Sequence, residues 1–252
     1  MKNICGKIAL IISAIITVST AASCEKREYL QSDPDVLTSR QIEILEENSL
    51  PTDMDKLNAR QSGGIKAIES AFVYLEEKYP GVEFEYISHT QAGIMNSEYT
   101  DFVPVGYDKE DDRNIVTVNY DREGNYSDNY MLVAVREETE KSIEKYLESY
   151  LGKDNFKVFV HPVQTDLQYG DVINEENIKG NVQSVVDLFV CDDTCSEDKL
   201  NEFAKYYKNY TDIYKCRFRT VIINQEDLDK LNYSNQTDIY DGDHIIYRVD
   251  IC

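Results

Sequence analysis

Four cysteines near the end of the chain, Cys191, Cys195, Cys216 and Cys252, are the residues whose type and spacing point most directly to chemistry. In an oxidising compartment an even number of thiols can close two disulfides. A bridge from Cys191 to Cys195 would close only a short loop. Joining Cys191 or Cys195 to Cys216, and the other to Cys252, would instead staple the C-terminal part together. A bridge over a few tens of residues contributes about 3–4 kcal/mol. Two other readings stay open, reduced thiols and a four-thiolate zinc site. The zinc reading lacks a second knuckle, because Cys191-x-x-x-Cys195 has no counterpart and Cys216 and Cys252 stand apart. Redox catalysis would want a Cys-x-x-Cys pair or an activated thiol, and no such pair occurs.

The remaining reactive side chains form no recognisable set. His89, His161 and His244 are far apart in sequence, each in or beside an expected strand, with no His-x-x-x-His or Glu-x-x-His spacing. Such histidines read as surface or hydrogen-bonded residues rather than as bases or ligands. There is no Gly-x-Ser-x-Gly elbow and no phosphate-cradling glycine loop among the 11 glycines. The acidic clusters Asp108 to Asp112, Asp192-Asp193 and Asp238 to Asp243 invite a calcium reading, but none has the alternating oxygens and closing Glu of an EF-hand loop. They read as solvated turns. No catalytic residue, metal site or cofactor is therefore assigned.

Composition narrows the classes further. The 252 residues include 47 acidic and 26 basic side chains, a net charge of −21, which argues against nucleic-acid binding and against docking on anionic lipid through a basic patch. It leaves room for a cation or a basic envelope protein as partner. With 42% apolar residues the chain can build a core, so global disorder is excluded. The 19 tyrosines fall at core-facing positions at least as often as elsewhere, which favours sheet and core packing over a sugar-stacking surface.

The elements that must position these residues begin with an address. Lys2 and Lys7 precede an uncharged run, Ile8 to Val18, followed by the small residues Ser19-Thr20-Ala21-Ala22-Ser23 and then Cys24. At about 1.5 Å per residue that run falls well short of a hydrocarbon core of about 30 Å. Residues 1–23 read as an export signal. Ala21-Ala22-Ser23-Cys24 resembles the lipobox of bacterial lipoproteins, with Ala21 where Leu is usual. That resemblance implies a diacylglyceryl thioether on Cys24, the new N-terminus, and attachment to the cell membrane; two acyl chains give stable anchoring. Ala21-x-Ser23 also fits an ordinary signal-peptidase site, which would leave a freely secreted protein. Cleavage removes two lysines and no acid, so the mature chain is more acidic still.

Residues 24–60 are polar, with Pro34 and Pro51 as breakers, and read as a flexible tether containing one short helix capped at Thr38-Ser39-Arg40-Gln41. An N-terminal α+β subdomain is expected over 61–152. Ile65, Ile68, Phe72, Leu75 and Tyr79 form one helical stripe, stopped by Pro80-Gly81. Strands follow at Val82 to Ser88, Tyr99 to Tyr107 and Asn114 to Tyr120, with a hairpin signal at Glu123-Gly124-Asn125. Tyr130 to Val135 reads as the returning strand, ahead of a helix from Glu137 to Leu151. A C-terminal α+β subdomain is expected over 153–252, with strands at Phe156 to Val163, Ser184 to Cys191, Tyr214 to Asn224 and His244 to Ile251. Between them come a helix opened by Thr194 with Glu197 and a short one from Glu226 to Leu231.

The fold class expected is α+β. A helix packs on an antiparallel meander, similar in layout to cystatin or PepSY modules, followed by a ferredoxin-like sandwich. Tyr74-Leu75-Glu76-Glu77-Lys78-Tyr79 ahead of a strand, and Ser127-Asp128-Asn129-Tyr130 ahead of a helix, are similar to segments of uncharacterised lipoproteins of Gram-positive gut bacteria. The expected role is a lipid-anchored, non-enzymatic binding or modulatory module of the envelope. An exported hydrolase drawing its acid and base from scattered Asp and Glu is the alternative, because paired carboxylates leave no motif.

Overall fold

In a computed structural model the described residues are 36–91, 97–121, 123–193, 198–199, 202, 215–236 and 247–251. The export signal, Cys24, Cys195, His244, Cys252, Asp238 to Asp243 and most of the helix expected after Thr194 lie outside them.

The Thr38 capping box forms as its sequence indicates. Thr38 Oγ1 accepts from Gln41 N at 3.2 Å, and Gln41 Oε1 accepts from Thr38 N at 2.8 Å, opening helix α1 (Ser39–Glu47). This helix is docked rather than free. Gln41 is fully buried and donates Nε2 to Ile65 O at 3.1 Å, on helix α2 (Ala59–Lys78). The Arg40 guanidinium pairs with Glu69 at 2.8 Å and with Glu76, while Ile44 and Leu45 join the core of Ile65, Ile68 and Phe72. The flexible tether expected over 24–60 is thus corrected. Residues from Val36 onward belong to the folded body, because an apolar pair too short to register as a stripe finds its partner on α2. Helix α2 also starts earlier than the stripe at Ile65, with Asn58 and Gln61 forming a second capping box. Gly63-Gly64 lowers the helical signal there, and the cap offsets that cost.

Strands β1 (Phe84–Thr90), β2 (Glu98–Pro104), β3 (Val116–Tyr120) and β4 (Tyr126–Asp128) form an antiparallel meander in sequence order. Phe102, Val116 and Val118 meet α2 at Phe72, Leu75 and Tyr79 to make the first core, where Phe72 packs edge-on to Phe102 at 4.7 Å. Asp101, flanked by Ser88 Oγ at 2.8 Å and Thr117 Oγ1 at 2.7 Å, lies on the alternate positions of the sheet.

Helix α3 runs from Tyr130 to Leu151, so the strand expected at Tyr130 to Val135 is corrected to helix; the returning strand is the short β4. The cause is packing on two sides. Val133 belongs to the first core, Val135, Ile143 and Leu147 to the second, and Met131 touches both. A helix buried between two sheets shows a continuous apolar run instead of a stripe. Helix α3 also packs along the next strand, so one helix serves both cores.

That strand is β5 (Phe156–Thr165), followed by helix α4 (Glu175–Ile178), β6 (Val182–Cys191), β7 (Cys216–Ile223), helix α5 (Gln225–Lys230) and β8 (Tyr247–Ile251). Their sheet runs β5-β6-β7-β8, antiparallel at both outer pairs and parallel between β6 and β7. The ferredoxin-like order is thereby corrected. That layout splits each helix-connected parallel pair with another strand, whereas here sequential strands are neighbours and β5/β6 are antiparallel. Strand β6 is buried on both faces, by α3 through Val186, Leu188 and Val190 and by α5 through Phe189 against Leu228 and Leu231. At the outer edge of β5, the Val160 N–H donates to Glu140 Oε2 at 3.0 Å, and Pro162, two residues on, has no N–H to offer. The edge is closed to strand pairing.

Candidate functional site

Helix α1, the start of α2 and strand β1 enclose a crevice of about 300 Å³. Its floor is the outer surface of the first core, Ile44, Leu45, Ile65 and Ile68, with Leu50 and Tyr86 at the sides. Its rim is polar: Asn48, Asn58, Arg60, Gln61, His89 and Gln91. The Asn58 cap presents its oxygen to Arg60 N and Gln61 N, both at 3.0 Å, and Gln61 Oε1 accepts from Asn58 N at 3.0 Å. The carbonyl oxygens of both side chains are therefore committed, while Asn58 Nδ2 and Gln61 Nε2 have no protein partner among the described residues. Arg60 holds Gln91 in a two-bond clasp, Nε to Oε1 at 2.7 Å and Gln91 Nε2 to Arg60 O at 2.6 Å. Its two terminal guanidinium nitrogens are left over. Gly64 makes this approach possible. A Cβ there would stand 2.9 Å from Gln91 Nε2 and 3.6 Å from His89 Cδ2.

His89 forms the inner wall. Its Nδ1 lies 2.9 Å from Thr100 Oγ1 and its Nε2 3.8 Å from Glu98 Oε1, with the ring side chain 7% exposed. Burial drives its pKa down to about 4, so the ring is neutral at ordinary pH. Nε2 is buried without a hydrogen-bond partner, and the adjacent carboxylate favours a proton on that nitrogen. Burial, assisted by the Asp101 charge, also pushes Tyr86 up to about 12.

Among the described residues no acidic side chain lines this crevice. The contrast is informative in a chain carrying 47 of them. A cavity of about 290 Å³ between the two sheets includes Asp112, one of about 540 Å³ includes Asp128, and one of about 470 Å³ includes Glu144, Glu148, Asp154 and Asp229.

The first two of those cavities lie where the halves are tied together. Asp128 gathers both segments singled out in the sequence. Its Oδ2 accepts from Tyr74 OH and Lys78 Nζ, and its Oδ1 from Tyr79 OH, all at 2.7 Å, with Tyr130 N adding a fourth bond at 2.9 Å. The Asp111 carboxylate takes Arg113 at 2.8 Å and Arg136 at 3.0 Å, so this part of the acidic run is an ion-pair hub, not the solvated turn expected. Arg113 also reaches Glu140 at 2.9 Å and stacks 4.0 Å over the Tyr233 ring, crossing from the first half to the second. With both arginines answered by carboxylates, the cavity they line carries no spare positive charge.

Cys191 and Cys216, the two of the four that lie among the described residues, are not brought together. Cys191 pairs with Ile223 and Cys216 with Ser184, at opposite ends of the parallel pair β6/β7. Seven residues along a strand is roughly 23 Å, against the few ångströms a disulfide spans, so a Cys191–Cys216 bridge is ruled out. Burial pushes the Cys216 thiol up to about 12. Cys191, Asp192 and Asp193 offer ligand atoms within 4.8 Å of one another, two of them on exposed residues. His161 Nε2 is 3.1 Å from Asp187, whose carboxylate is gripped by Arg219 at 2.5 Å. The sequence reading missed the crevice. Its one signal was Gly63-Gly64 inside a helix, a mark of close approach.

No protein-family model matches the chain, and no curated protein matches it. Among solved structures it is similar to the crystal structure of a DUF5037 family protein from Ruminococcus gnavus, at 15% identity and a TM-score of 0.35, over 64% of this chain and 76% of that one. Among the described residues no helix is long and apolar enough to cross a membrane.

Proposed function

We propose that the chain is an exported protein, held at the cell membrane by lipid on Cys24, whose α+β body is a binding or modulatory module rather than an enzyme. The observation that carries the binding role is the crevice beside α2, an apolar floor under a polar rim on which Arg60, Asn58 and Gln61 keep spare donors. The attachment rests on the charged start, apolar run and Ala21-Ala22-Ser23-Cys24. Helix α2 beside the antiparallel β1–β4 meander supports a likeness in layout to cystatin or PepSY modules, an analogy that names no ligand.

The test is intact-mass analysis of the protein from membranes of its native host, beside a Cys24→Ala variant. The expected result is a mature chain starting at Cys24 with a diacylglyceryl adduct, and loss of membrane association in the variant. A chain retaining residues 1–23 in the cytosol, or one recovered free without acyl mass, overturns the attachment.

A further inference from the structure

The geometry points to the crevice between α1, α2 and β1 as a site for a small monocarboxylate with an apolar aliphatic or aryl body. Shape and charge argue together. Ile44, Leu45, Ile65 and Ile68 line the floor from the buried core, each 2–9% exposed, and the half-buried Leu50 and Tyr86 flank it. Burying apolar surface there is worth about 25 cal/mol per Å². Most of the rim's spare polar atoms are donors: Arg60 Nη1 and Nη2, Asn58 Nδ2 and Gln61 Nε2. The Asn58 and Gln61 oxygens are consumed by the cap and Gln91 Oε1 by Arg60 Nε, which leaves Asn48 Oδ1, whose amide nitrogen is given to Ile44 O, as the spare side-chain amide oxygen. A ligand that enters gains most by bringing acceptors.

Charge selects among acceptors. Arg60 lacks a carboxylate partner among the described residues, although the chain has far more acids than bases. It projects at the N-terminal end of a long helix, where the macrodipole adds to its positive field. Among the described residues no acidic side chain lines the crevice to repel an anion. A carboxylate on Arg60 forms charge-assisted bonds that an amide cannot match, and an amine meets the like charge of Arg60 with Asn48 Oδ1 as its acceptor. The clasp to Gln91 holds the guanidinium over the opening, which limits the ordering cost of binding. This inference is independent of the lipid on Cys24 and survives a failure of that reading.

The test is a backbone-amide NMR titration of the full mature chain with 4-phenylbutyrate, its amide and the corresponding amine. The acid is expected to shift signals confined to residues 44–50, 58–68 and 86–91, and to bind about tenfold tighter than the amide, with the amine weakest. Arg60→Gln, a change at an exposed residue, should bring acid and amide to near-equal affinity while keeping amide binding. Leu50→Trp should fill the crevice and weaken both; if it fails to fold, the Arg60→Gln comparison decides. No localised shifts with any of the three probes, amine binding as tight as the acid, or an acid preference unchanged in Arg60→Gln overturns the proposal.

Discussion

Replacing Asp128 by Asn tests how the first half is joined to α3. The carboxylate is 1% exposed in its side chain and accepts four hydrogen bonds, two on each oxygen. Asparagine keeps the shape and one acceptor oxygen. If that oxygen stays with Tyr79 OH and Tyr130 N, the amide N–H₂ turns toward Tyr74 OH and the Lys78 ammonium. The Tyr74 hydroxyl can rotate to accept, but Lys78 has no lone pair to offer. The Lys78 bond is lost, the Tyr74 bond is reversed and the other two persist, all three remaining ones neutral instead of charge-assisted. The cost is roughly 1 kcal/mol for a lost bond, more where the donor is charged, and a fraction of that for each weakened one. Lys78 is 45% exposed, so water recovers much of its share. The expected net cost is about 2–3 kcal/mol at pH 7. The same donors, Lys78 foremost, hold the Asp128 pKa below its ordinary value against the opposing effect of burial. A depressed folded pKa contributes stability that is complete above the unfolded value near 3.9 and is lost as pH falls through the folded one. The gap between wild type and Asp128→Asn should therefore be constant from pH 7 to about 5 and close below about 4. Urea unfolding followed by circular dichroism at several pH values measures it. A cost below about 0.5 kcal/mol at pH 7, or a gap that persists unchanged at pH 3, refutes the reasoning.

Other outcomes follow from the same structure. His89 should titrate with a midpoint near 4 by NMR of its ring protons. Because burial lowers its folded pKa below the ordinary value near 6.5, the unfolded state binds the proton first, and His89 should remove stability as pH falls from about 6.5 to 4; a midpoint above 6 refutes this. Glu140→Ala should cost about 1–2 kcal/mol in urea unfolding, since it leaves the Val160 N–H and one arm of Arg113 without acceptors. Hydrogen exchange at Val160 should rise in that variant, and an unchanged rate would show that Glu140 does not close the β5 edge.

Much of the secondary structure was legible because local signals act over a few residues. The Thr38 box, the stripe from Ile65 to Tyr79 and the strands Phe84–Thr90 and Val182–Cys191 follow from capping chemistry and periodicity. Reading Tyr130 to Val135 as a strand failed where periodicity is silent. Val133 and Val135 are both buried, but in different cores, so the run shows neither period clearly. The docking of residues 36–60 was hidden because Ile44 and Leu45 are too few to predict burial without α2. The crevice was hidden more deeply still. Arg60, His89 and Gln91 are unremarkable apart from one another, and their convergence depends on Gly64 letting β1 approach the helix.

By itself the sequence determined the α+β class, the excess of negative charge, the caps and most element positions, all properties of neighbouring residues or of totals. The tertiary structure alone decided the strand order of the second sheet, the separation of Cys191 from Cys216, the meeting of Tyr74, Lys78 and Tyr79 on Asp128, and the acid-free lining of the crevice. Those depend on which distant surfaces can bury one another, and a chain read one window at a time carries no record of its long-range partners.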